Sequence, residues 1–87
     1  MPHLIVEHSS NLDFPAAEAL AALTATLCAS PEIPDEYALK ARVVRQEHFA
    51  VGTAPEPRAF VHAQLRLLAG RSAEANQDLA ERIATEL

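Results

Sequence analysis

The spacing of apolar and polar positions changes period along the chain, and each change marks an element. Residues 3–8, His-Leu-Ile-Val-Glu-His, form a short apolar and β-branched run that predicts a strand beginning almost at the first residue. Ser9, Ser10 and Asn11 carry turn chemistry. Asp13 is positioned to cap a helix, and Pro15 suits a first helical turn, where its missing N–H costs nothing. Over 14–29, Leu20, Leu23 and Leu27 recur at helical spacing with Ala16 and Ala19 beside them. The segment 30–37 contains Pro31 and Pro34 and reads as a loop. Over 39–51 the period falls to two, with Lys40, Arg42 and Val44 on one face of a strand and Ala41, Val43 and Arg45 on the other. Residues 52–58, with Pro55 and Pro57, form a turn. Alternation returns over 59–68: Val61, Ala63, Leu65 and Leu67 share one face, and Phe60, His62, Gln64 and Arg66 the other. Ser72 suits the cap of a second helix, along which Leu79, Ile83 and Leu87 recur.

The predicted order is β-α-β followed by β-α. A strand-helix-strand unit implies a parallel pair joined by a right-handed crossover. The second unit ends on its helix, so the expectation is one α+β domain over 1–87 in which a final strand is missing.

Composition narrows this further. With 87 residues there is no room for two separate cores. The hydrophobic share is 49%, but eighteen of those residues are alanine, which leaves few large side chains for a core. Oligomerisation is a common remedy at this size, and a multimer is expected. The net charge of −5 argues against nucleic-acid binding, which needs clustered Lys and Arg. No apolar run approaches the ~20 residues of a membrane span, and no basic leader segment is visible. The expected location is cytoplasmic. The single Cys28 excludes an intrachain disulfide and reads as an inert helical thiol. The distribution of charge matters more than its sum. All seven Lys and Arg residues lie at or after position 40, whereas the first 39 residues hold six acids and neither Lys nor Arg.

Few reagents are on offer. Ser9, Ser10, Cys28 and the histidines have no triad spacing. Two glycines cannot make a phosphate loop, and His3, His8, His48 and His62 lack metal-ligand spacing, so neither metal nor cofactor is expected. Met1-Pro2 remains. A small second residue favours removal of the initiator methionine, and removal would leave a secondary amine at the start of a strand. An α-amino group titrates near ~8, and burial beside cations would bring it lower. A neutral amine near pH 7 is a competent general base.

Residues 1–12, Met-Pro-His-Leu-Ile-Val-Glu-His-Ser-Ser-Asn-Leu, resemble the N-terminus of the 5-carboxymethyl-2-hydroxymuconate isomerases, members of the tautomerase superfamily. Leu-Lys-Ala-Arg-Val-Val at 39–44, Ala-Phe-Val-His at 59–62 and Ala-Gly-Arg-Ser at 69–72 extend the resemblance in order. It implies a tautomerase-like β-α-β repeat with a mixed sheet and two helices on one face. It also implies a homotrimer with sites near subunit boundaries, and cofactor-free proton transfer along a dienol acid with two or three carboxylates. The base would be Pro2. Arg42 and Lys40 are candidate substrate-binding cations, Lys40 standing where an arginine is familiar. Arg71, ahead of the second helix, and His62 are further binding candidates, each of which could instead be structural. Phe49 and Phe60 could wall a pocket or simply pack. Retention of Met1 would turn the Pro2 nitrogen into an amide and silence it. A tautomerase for another enol acid such as phenylpyruvate, or a non-catalytic trimeric scaffold, would fit the same residues.

Overall fold

The computed structural model describes residues 2–87; Met1, and with it the question of its removal, lies outside them. The elements are β1 (His3–Ser9), α1 (Ala16–Cys28), a 3₁₀ turn (Glu36–Ala38), β2 (Lys40–Gln46), β3 (Val61–Arg66) and α2 (Ala73–Glu86). The strands form one mixed sheet in the order β2-β1-β3, with β1 parallel to β2 and antiparallel to β3. This is the expected α+β arrangement, with the N-terminal strand in the middle.

Alternation in β1 sends Leu4 and Val6 to one face, where both are fully buried. Leu23 and Leu27 of α1, Leu79 and Ile83 of α2, and Ile33 from the loop after α1 complete the buried cluster. Ala41 and Val43 of β2 and Ala63 and Leu65 of β3 pack against its edges. Both helices therefore cover the same face, and the other face of the sheet is open.

The helix starts differ from one another. Ser72 caps α2, its hydroxyl accepting from the Ala75 N–H at 3.1 Å. The expected Asp13 cap is absent: α1 begins after Pro15 with no side-chain cap, because the chain reaches the helix two residues later than Asp13 could serve. Its first turn is closed instead by backbone, Ala19 N–H to Pro15 carbonyl at 2.9 Å. The strands β2 and β3 are shorter than their alternating runs. Beyond Gln46 the chain leaves β1, whose last residue, Ser9, pairs with Gln46. Phe60, just before β3, donates its N–H to the buried Ser9 hydroxyl at 3.0 Å. Phe49 and Phe60 meet edge to face at 5.8 Å.

A groove of about 440 Å³ lies between α2 and β3, lined by Ala63, Leu65, Leu67, Leu79, Ala80 and Ile83. This is the open flank of the core, on the helix side of the sheet.

Candidate active site

Pro2 is buried at the mouth of β1, and its carbonyl accepts the Lys40 N–H at 3.1 Å, which clamps the strand start to β2. Position 3 then turns to the open face. The register places His3 opposite Lys40 on β2 and opposite Arg66 on β3, so Lys40, His3 and Arg66 form one row across the sheet. The next row is Arg42, Ile5 and Gln64. The Arg42 guanidinium leans back by one row and donates to His3 Nδ1 at 3.2 Å. That contact requires an unprotonated Nδ1. The imidazole is held below its ordinary pKa, first by lost hydration and then by the positive charges of Arg42 and Lys40, with Arg66 adding to them.

The way the basic side chains are partnered separates this corner from the rest of the surface. Arg45, Arg58, Arg71 and Arg82 each meet a carboxylate, from Glu47, Glu56, Glu32 and Asp78 respectively. Among the described residues Lys40, Arg42 and Arg66 meet none. Lys40 Nζ donates to the Ala38 carbonyl at 2.9 Å, and Arg66 reaches Gln64 Oε1 only at 3.5 Å. In a chain with twelve acids, the three cations without a carboxylate are those around His3. The acid on this face, Glu7, is four residues further along β1, about 14 Å away at ~3.4 Å per residue. It accepts from Gln46 Nε2 at 2.7 Å. The sheet face is thus cationic at the Pro2 end.

The sequence pattern of the 5-carboxymethyl-2-hydroxymuconate isomerase family matches residues 2–87. The chain belongs to that family. A crystal structure of a 5-carboxymethyl-2-hydroxymuconate isomerase from Deinococcus radiodurans R1 resembles it with a TM-score of 0.89 at 34% identity, over 98% of this chain and 65% of that one. A crystal structure of a 5-carboxymethyl-2-hydroxymuconate delta-isomerase gives a TM-score of 0.84 at 20% identity, over 99% of this chain and 68% of that one, and bears on the fold alone. The chain therefore spans less than two thirds of the first relative's length. No curated protein matches it.

The isomerase-family stretches at 59–62 and 69–72 sit away from Pro2 or are engaged locally. His62 pairs in register with Glu7 at the far end of the open face, its Nδ1 3.9 Å from Glu7 Oε1. Arg71 is a junction residue within this chain. Its guanidinium donates to the Leu68 carbonyl at 3.2 Å and the Glu32 carbonyl at 3.0 Å, tying the entry of α2 to the loop after α1. Gly70, with a φ of 112°, makes the turn that sets Arg71 there. Of the candidates from sequence, Lys40 bonds Pro2 through its backbone N–H and Arg42 reaches His3, the next residue along, whereas His62 lies beside Glu7 and Arg71 bonds the loop after α1. Arg66 and His3 are neighbours that the sequence reading passed over. Strand alternation already put Arg66 on the polar face, but only the register tells that it lies beside His3. No helix among the described residues is long and apolar enough to cross a membrane.

Proposed function

We propose that the chain is a cofactor-independent isomerase that converts a 2-hydroxymuconate-type dienol acid, of the 5-carboxymethyl-2-hydroxymuconate kind, to its keto isomer, acting in the cytoplasm as a homotrimer. The observation that carries this reading is the buried Pro2 at the end of a clamped strand, next to cations with no carboxylate of their own. Family membership supports it.

With Met1 removed, Pro2 presents a secondary amine. A buried amine beside Lys40 and Arg42 resists protonation, so its lone pair is available near neutral pH. It takes the 2-hydroxyl proton of the dienol. The O–H pair becomes the carbonyl π bond, the double bonds shift along the chain, and the ammonium returns the proton to carbon. Lys40 and Arg42 hold the carboxylate beside the reacting enol and stabilise charge that accumulates on the oxygens during the transfer. Lysine does so as a point charge and arginine as a two-pronged donor. Assembly of three copies would bring side chains of one subunit to the open face of the next.

The test is conversion of dienol to ketone followed by ultraviolet absorbance. Pro2→Ala is expected to lower kcat about 10²–10⁴-fold, the range for losing a positioned general base. Protein whose intact mass retains Met1 is expected to be inactive. Full activity in either form would remove Pro2 from the mechanism. Sedimentation equilibrium gives the oligomer directly.

A further inference from the structure

From the contrast between the two free edges of the sheet, we propose that two copies of the chain pair their β3 strands antiparallel about a two-fold axis at Ala63. The pair makes one six-stranded sheet from two three-stranded ones and closes the groove between β3 and α2. It uses an edge and a flank away from the open sheet face, so it holds whether or not the chain isomerises a dienol acid.

The order β2-β1-β3 leaves two edges, and they are unequal. β2 carries Lys40, Arg42 and Arg45 among its seven residues, so two such edges brought together repel. β3, Val-His-Ala-Gln-Leu-Arg, has its one fixed charge at its last residue and neither proline nor lysine to blunt it. The backbone groups it turns outward follow from the ladder. Ser9 donates its N–H to the Phe60 carbonyl at 3.1 Å, so positions 60, 62, 64 and 66 face β1, and Val61, Ala63 and Leu65 point their N–H and C=O groups away from it. No strand lies beyond them among the described residues.

The flank beside that edge is apolar. Val61 within β3 and Leu68 just after it are exposed large hydrophobic residues. α2 carries four acids and Arg82, yet it turns Asn76, Leu79, Ala80 and Ile83 to the groove, and no charged side chain lines it.

A second copy answers both features with a closed symmetry. Pairing centred on Ala63 sets Val61 against the partner's Leu65 on the helix side, where both help to cover the groove. On the other side it sets His62 against the partner's Gln64, and Arg66 against the partner's Phe60, so no like charges oppose one another. The outward groups of Val61, Ala63 and Leu65 bond to those of the partner. Pairing of β3 with the partner's β2 would leave one edge of each kind free and grow into a filament, whereas the β3–β3 pair is self-complementary and closes. Only the two charged β2 edges then remain outermost.

Sedimentation of the full chain over a dilution series, with amide hydrogen exchange read by NMR at the same concentrations, tests this. Species with an even number of chains are expected, and the amides of Val61, Ala63 and Leu65 should lose protection at the dilution where the mass halves. Ala80→Glu sets a carboxylate in each groove from an exposed helical position, and should weaken that association about tenfold or more. Ala63→Pro removes an N–H turned to the partner while keeping the bonds to β1, and should abolish it. Circular dichroism confirms that both variants are folded. Absence of any even-numbered species, amides at 61, 63 and 65 that exchange freely at every concentration, or an association untouched by Ala80→Glu would overturn the proposal. So would protection of these amides in a single-chain species, because the cover would then come from within the chain.

Discussion

At the scale of a residue, His3 reports the field of the corner it occupies. Its pKa lies below the ordinary value of ~6.5 because lost hydration and then the charges of Arg42 and Lys40 oppose protonation. The unfolded chain therefore binds this proton more readily than the native protein does. The consequence for stability is absent above the ordinary histidine value. As the pH falls below it, the unfolded state gains protons first and stability declines, until the pH passes His3's lower native value and the difference is complete. Arg42→Gln removes the nearest charge and the Nδ1 contact, so the His3 titration is expected to move up towards the ordinary value when followed by its C2 proton in NMR. A titration that stays in place would mean that Arg42 does not act on this ring.

At the scale of an element, the two helices predict opposite responses to the same kind of change. Ser72 supplies an oxygen to the first turn of α2, so Ser72→Ala should cost about 1 kcal/mol in urea unfolding. Asp13 was the expected cap of α1 and makes no such bond, and Asp13→Ala should stay within about 0.5 kcal/mol. The contrast marks what was legible in the sequence. Period and polarity identified all five main elements, since alternation in the strands and the Leu20–Leu23–Leu27 spacing reflect burial directly. Their ends were less legible, because β2 stops where its partner β1 stops rather than where its own pattern fades. The site divided the same way. Lys40 and Arg42 share a face by local geometry alone, which sequence carries. Arg66 joined them only through pairing with His3, sixty-three positions away. Arg71 looked available for an anion, and its commitment to Glu32 depends on how a distant loop packs.

At the scale of the whole molecule, a small core makes each large side chain count. Among the described residues seven hydrophobic side chains form the buried core, and Leu23 is completely enclosed between sheet and helices. Leu23→Ala should cost about 2–5 kcal/mol, read as a lower denaturant midpoint with an unchanged slope. That loss is comparable to the whole stability of many chains of this size, so a largely unfolded variant is the upper limit of the same expectation. Along one flank the groove between β3 and α2 leaves the core without a cover. The central position of β1 has a different consequence, in time. The ribosome makes this strand first, yet both of its partners are complete only when Arg66 has been added, 57 residues after Ser9. At ~5–20 residues per second that interval is about 3–11 s. Until Gln46 is added, 37 residues after Ser9, Leu-Ile-Val has no partner strand, and until Arg66 it is paired along one edge alone. The middle strand of the sheet is therefore made before either strand it pairs with, and the apolar run it carries stays partly uncovered for seconds of synthesis.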